Sequence, residues 1–316
     1  MKDKLNNGIL YVGQTSDTTA ADRNASGEDP NRKRYIQLRR IESEPPFDVF
    51  KVRDTLSGSY ATMMCLDGKS KHDNDAKMRL HKRGINSVYA ANSDKISQNI
   101  VQWNTPTRHG HDALFLLTEQ PYGRSLSKWH KLHPISDEAT ALLLIGQLLN
   151  ALDAVHSVGM LITEKNPSET EQRTSLVHRS VGPDSIRIVE CDDKLTLLLD
   201  NFENAIPVQT PADNQFCGTA AFSPRQQLLD ARHPHPAWDV WAAAACLYYL
   251  LTGKFPREFS ENRWKCLAEN KPIPLLERRS DISPRLAAVI DLALDDTNGL
   301  HYQTADALRK ALHSVM

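Results

Sequence analysis

VHRSVGPDSI at residues 177–186, LLLDNFENA at 197–205 and FCGTAAFSPRQ at 216–226 follow one another in the chain, and their reading decides the fold. Apolar runs near 186–190 and 195–199 flank Asp192-Asp193, the pattern of two strands joined by a tight turn. Downstream, WDVWAAAACLYYLLTGKFP at 238–256 contains the most apolar stretch of the chain, Val240 to Leu251. That stretch is too short to cross a bilayer and reads as a buried helix. Further helical patterns lie at 239–252, 284–294 and 304–314. Upstream, Leu144, Leu148, Leu152 and Val155 mark one buried helix face. Ser136 is placed to cap that helix, with Asp137 and Glu138 at its positive end and Gly159 at its close. A polar stretch, 161–175, interrupts the pattern and reads as a solvated insertion.

The first third has a different texture. YIQLRRI from Tyr35, FDVFKVRD and YATMMCL alternate as strands do, with a Gly-Ser turn at 58–59. Residues 76–92 read as a helix weakened by Gly84, and IVQW (100–103) and ALFLLTE (113–119) as strands. The expected class is therefore α+β: a polar extension at 1–34, a small sheet with one helix at 35–120, and a mainly helical part at 121–316.

The 316 residues carry a formal net charge of −1, which gives no general attraction to nucleic acid or to an anionic membrane. The five cysteines, Cys65, Cys191, Cys217, Cys246 and Cys266, include no C-x-x-C pair, which argues against zinc and a disulfide framework. With no signal peptide at MKDKLNNGILYVG, a cytoplasmic protein without a membrane anchor is expected. His109-Gly-His111-Asp112 and His233-Pro-His235-Pro read as surface loops rather than metal sites, and the tryptophans as core or groove residues.

The ordered motifs resemble those of protein kinases, bacterial Ser/Thr kinase domains in particular. VHRSVGPDSI resembles the catalytic loop, H-R-D-x-K-P-x-N; LLLDNFENA resembles the strand and turn carrying Asp-Phe-Gly; FCGTAAFSPRQ resembles the end of the activation segment. WDVWAAAACLYYLLTGKFP and SPRLAAVIDLALDDTNGLHYQTADALRKAL (283–312) resemble the later helices of the helical lobe. The resemblance covers roughly 35–314 and implies a bilobal kinase-like fold, with an N-lobe at 35–120 and a C-lobe at 121–316.

Phosphoryl transfer depends on positioning and charge neutralisation, and the positions that supply them are altered. Ile41–Val49, where the resemblance calls for a glycine-rich loop, has no glycine; Pro45 and Pro46 remove amide donors, and Glu42, Glu44 and Asp48 would repel phosphate. Met64 stands at the position of the strand lysine, and no glutamate lies between Glu44 and Glu119 to pair with one. Ser180 replaces the catalytic aspartate, and a hydroxyl is no base near neutral pH. Gly182 replaces the loop lysine and Ser185 the metal-binding asparagine. Asp200-Asn201-Phe202 stands for Asp-Phe-Gly and keeps one carboxylate, a metal candidate or a structural acceptor of hydrogen bonds. Glu119, in LLTEQ, marks the hinge, whose backbone groups would meet adenine.

What is retained builds the lobe: His178, Arg179, Pro183, Gly218, Pro224 and Asp239. The glutamate and arginine that clamp this lobe in the family have become Arg225 and His301, and Arg225 is expected to pair instead with Asp295 or Asp296. The expectation is a pseudokinase that binds a protein partner as a scaffold or regulator, with no cofactor. The alternatives are a divergent Ser/Thr kinase with rearranged ATP and Mg ligands, or an ATP-binding sensor without transfer.

Overall fold

The computed structural model describes residues 34–315 except 94, 96, 105, 110–112, 136, 158–175, 193, 209–211, 213 and 259–269. The polar extension, the 161–175 insertion, the Ser136 cap, Gly159, and most of His109-Gly-His111-Asp112 lie outside the described residues.

The chain divides into two compact units, 1–85 with 102–121, and 86–101 with 122–316. In the first, β1 (Tyr35–Glu44), β2 (Phe47–Asp54) and β3 (Tyr60–Leu66) form a meander, followed by α1 (Asn74–Ala91), β4 (Thr107–His109) and β5 (Ala113–Thr118). The antiparallel sheet runs β1-β2-β3-β5-β4. Tyr35, Val52, Ala61, Met63, Cys65 and Phe115 form a buried cluster in this sheet. Asp54 sets the β2–β3 turn by accepting the Leu56 amide at 2.9 Å.

The second unit contains β6 (Arg124–Ser125), α2 (Leu126–Leu132), α3 (Glu138–Val155), β7 (Leu176–Val177), β8 (Ile186–Cys191), β9 (Lys194–Leu199) and β10 (Ile206–Pro207), then α4 (Arg225–Leu229), α5 (Pro236–Thr252), α6 (Leu275–Arg278), α7 (Pro284–Leu294) and α8 (Ala305–His313). α5 is apolar all round and buried along nearly its whole length, as its composition predicts. With α3 it forms the centre of the helical core. Glu138–Val155 is long and apolar enough to cross a membrane by length and composition, but more than half of it is buried inside the fold. Its N-cap is Asp137, whose side chain accepts the Thr140 amide at 2.7 Å.

IVQW departs from expectation. Ile100 makes a single parallel bridge to Leu199, and residues 101–104 form no strand. The apolar run reflects burial: Ile100, Val101 and Trp103 are each at most 2% exposed. The Leu199 amide donates to Asn99 O (2.7 Å) and the Val101 amide to Leu199 O (2.9 Å), which ties 99–101 to β9. Asn86 adds hydrogen bonds of 2.9 Å to the carbonyls of Phe202 and Ala205, so the C-terminal part of α1 belongs to the second unit.

Candidate active site and its altered residues

The loop at 177–186 is organised from beneath by α5. Asp239, 1% exposed, accepts the amides of His178 (Oδ2, 2.8 Å) and Arg179 (Oδ1, 2.9 Å), and His156 Nε2 lies 3.0 Å from Oδ2. His178 is wholly buried; its Nε2 is 2.9 Å from the Asp200 carbonyl and its Nδ1 accepts the Ser180 amide at 3.3 Å. These partners assign the proton to Nε2. Burial holds the His178 imidazole below its ordinary pKa, against the pull of the Asp239 and Asp200 carboxylates. Phe202 stacks edge-on against His178, with ring centroids 4.9 Å apart.

Arg179 has a left-handed φ of 66°, and its carbonyl accepts Gln227 Nε2 at 2.8 Å. Gly218 has φ 97°, and a Cβ there would come within 2.9 Å of the Arg179 carbonyl. Only glycine fits that pairing of backbone angle and close approach. Pro183 is buried and its carbonyl accepts the Ser127 amide, while Pro224 precedes α4 as its cap. Of the scaffold residues read from the sequence, His178, Arg179, Asp239 and Gly218 thus come together, while Pro183 and Pro224 shape adjoining backbone.

The altered residues are turned to structural ends. Ser185, 3% exposed, folds its hydroxyl back on its own loop: Oγ donates to Gly182 O (2.9 Å) and accepts the Gly182 amide (3.0 Å). The Ser185 carbonyl accepts the Asp200 amide at 2.8 Å. Asp184 is exposed and bonds Ser127 Oγ. In the first unit, Met64 is 1% exposed on β3, opposite Val49 and Leu116. Pro45-Pro46, joined by a cis bond, form the β1–β2 turn. α1, the helix that would carry the partner glutamate, buries Arg83 (4% exposed), and the guanidinium groups of Arg79 and Arg83 lie 5.4 and 5.9 Å from the Phe47 ring centre. Glu119 is exposed just after β5, at the edge of a pocket of about 590 Å³ shared with Arg34, Asp54 and Trp103.

Asp200 is fully buried, and its carboxylate is engaged from within the second unit. The Tyr122 hydroxyl donates to Oδ2 at 3.1 Å, and Arg187 Nε lies 3.4 Å from the same oxygen. Arg187 is 3% exposed, and its guanidinium carbon sits 4.6 Å from the centre of the Tyr122 ring. β6 pairs with β8 so that Ser125 faces Arg187, which brings the Tyr122 segment to Arg187. Next to Tyr122, Gly123 passes so close to β8 that a Cβ would stand 1.9 Å from Ile188 O. A carboxylate facing a buried guanidinium is already neutralised. Neither Arg187 nor Tyr122 was singled out in the sequence. The signal was present in IRIVEC, where a cation stands between two apolar strand residues.

The clamp near α4 pairs Arg225 with Asp296, one of the two expected acids, and adds a buried cation that the sequence did not single out. Asp296, fully buried, bonds Arg257 Nη2, and Arg257 is itself 2% exposed with its guanidinium carbon 4.9 Å from the Trp241 ring centre. Arg225 reaches Asp296 mainly through its amide (2.7 Å to Oδ2); its Nε stays 3.9 Å from Oδ1. His301 is exposed, with its ring against Tyr302, and takes no part in this pair. Among the described residues no group of three or more His, Cys, Asp or Glu side chains is placed to hold a metal, and His235 caps α5 by accepting the Ala237 amide.

Comparison with known proteins agrees with this geometry. The kinase domain of Mycobacterium tuberculosis PknI superposes with a TM-score of 0.62 over 89% of this chain and 95% of its own, at 15% identity. Sperm motility kinase 3A of Mus musculus is 31% identical over 144 residues, 45% of this chain and 25% of the relative. The chain has a protein kinase-like fold and is similar in sequence to protein kinases over part of its length. Serine/threonine-protein kinase D of Synechocystis sp. is 26% identical over 209 residues, 64% of this kinase-like chain and 36% of the relative. The matched region spans between a quarter and about a third of these curated relatives' length. No family model matches.

Proposed function

We propose that this kinase-like domain does not transfer phosphate and acts as a protein-binding scaffold or regulator. The observation that carries the reading is the burial of Asp200 against Arg187 and Tyr122. A metal-binding carboxylate has to be available to a divalent cation, and this one faces a guanidinium instead. The neighbouring positions support the same reading. Ser180 offers a hydroxyl where transfer needs a base, a change that typically costs about 10² to 10⁴ in rate. Gly182 carries no charge, and Ser185 spends its hydroxyl on its own loop. Met64 puts a thioether where the resemblance calls for a phosphate-pairing lysine. The scaffold around Asp239 keeps the shape of the lobe without these groups.

The kinase names of the relatives favour a second reading, a divergent kinase or a nucleotide sensor. Thermal shift with ATP, with and without Mg²⁺ or Mn²⁺, combined with radiolabel transfer in the same preparation, separates the three. The binding module predicts no nucleotide shift and no transfer. A shift without transfer indicates the sensor. Transfer that is lost in Asp200→Ala overturns the proposal.

A further inference from the structure

A groove of about 720 Å³ lies between α3 and α8, within the second unit. Its floor includes Leu142, Leu149 and Leu312, all at most 9% exposed, while Leu143 stands 54% exposed on its wall. Ala139, Leu143, Gly146 and Asn150 recur at spacings that place them on one outward stripe of α3. Arg309, Lys310 and His313 supply the other side, and among the described residues no aspartate or glutamate lines the groove.

Gly146 is the unexplained residue of this stripe. It sits in the middle of an 18-residue helix, where glycine is disfavoured relative to alanine. Packing accounts for the glycine of α1: a Cβ on Gly84 would stand 2.5 Å from the Leu116 side chain. A Cβ on Gly146 would meet nothing within 4 Å. The fold has no steric need for glycine there, and what its missing side chain leaves is room in the groove.

We propose that this groove docks an acidic amphipathic helix of a partner protein. The walls are two helices and offer no strand edge, so recognition falls to side chains, as in helix-in-groove binding. The stripe from Ala139 to Asn150 runs about 17 Å at the helical rise, which matches a partner of about three turns. Apolar residues at i, i+4 and i+7 would lie along Leu143 and the open space at Gly146. The charge of the rim selects acidic flanks. Asp306 bridges both Arg309 and Lys310, one carboxylate against two cations, and so leaves the rim positive. The groove shares no residue with the Asp200 site, so a chain active in phosphotransfer would leave this proposal standing, and an empty groove would leave the phosphotransfer reading standing.

The test is selection of a displayed library of 14-residue helical peptides on the whole chain. Enriched peptides are expected to carry apolar residues at i, i+4 and i+7 and a net negative charge. The synthesised winner should bind at least tenfold more weakly to Leu143→Glu, to Gly146→Trp and to Arg309→Glu/Lys310→Glu, each checked for unchanged circular dichroism. Gly146→Ala should raise the melting temperature by about 1–3 °C. Three results overturn the proposal: no enriched peptide; peptides that bind the variants equally well; or a fall in melting temperature for Gly146→Ala, which would show that the glycine serves the fold.

Discussion

Arg187 and Asp200 are 3% and 0% exposed, so each charge depends on the other. Removing one partner of such a pair leaves the other buried and uncompensated, at a cost of about 3–5 kcal/mol, whereas replacing both by apolar groups is often near neutral. Arg187→Met should therefore lower stability by about 3 kcal/mol in urea denaturation, and Arg187→Met/Asp200→Leu should recover most of that loss. The Tyr122 hydroxyl retains a bond to Asp200 in the single variant, which sets the loss toward the lower end of the range. Divalent cations provide a second readout. With its guanidinium gone, Asp200 in Arg187→Met should give an Mg²⁺-dependent thermal shift, and the natural sequence should give none. A single variant as stable as the parent, or a parent that already responds to Mg²⁺, would show that Arg187 does not neutralise Asp200. None of this was legible in Asp200 itself, because a carboxylate's partner is set by the strand opposite it. The β6–β8 register, which brings Tyr122 to Arg187, carries no sequence motif.

At the scale of elements, the scaffold was legible because its motifs encode backbone contacts. Asp239 at the start of α5 and the His178-Arg179 pair meet through amide hydrogen bonds, and Gly218 is dictated by a backbone conformation open to few other residues. Strands and helices with a clear period stand near their expected places, while IVQW was misread because a buried run that crosses a strand end has the composition of a strand. The α4 clamp shows a subtler limit. The sequence pointed to an acid near Asp295 or Asp296 for Arg225, and Asp296 does occupy that role, but the buried cation is Arg257, from the turn after α5. The sequence holds several arginines near the clamp and does not rank them. The geometry does. Arg225 uses its amide, which survives truncation, so Arg225→Ala should cost under about 1 kcal/mol, in the range of exposed pairs. Arg257→Ala strands the Asp296 carboxylate and also removes the stacking on Trp241, so about 3–5 kcal/mol is expected. Equal losses in the two variants, measured by denaturant midpoint at constant m-value, would contradict the assignment.

At the scale of the molecule, burial of histidines ties stability to pH. His178 is fully buried and His130 is 6% exposed, and desolvation holds both below the ordinary histidine pKa. A group with a depressed folded pKa binds its proton more readily in the unfolded chain. Between the two pKa values the unfolded state therefore carries more protons, and stability rises with pH. Above about pH 7 neither state is protonated at these positions and the contribution is fully present. As pH falls below about 6.5, the ordinary histidine value, each of the two groups should remove up to about 1.4 kcal/mol per pH unit until its folded pKa is reached. The lowered carboxylates, such as Asp54 and Asp137, act only near and below the ordinary carboxylate pKa, so the window from pH 5 to 6.5 is governed mainly by the histidines. Protonation of His178 also breaks a specific contact, since Nδ1 would no longer accept the Ser180 amide, while the Nε2 bond to the Asp200 carbonyl and the backbone bond to Asp239 remain. His178→Gln keeps a side-chain donor for the Asp200 carbonyl and removes the titration. Denaturation measured at several pH values should show the slope between pH 5 and 6.5 falling in this variant, with His130 and His235, which burial also holds low, supplying the remainder. A slope unchanged by His178→Gln would mean that the loop histidine is not the buried neutral group that joins the lobe's scaffold to Asp200.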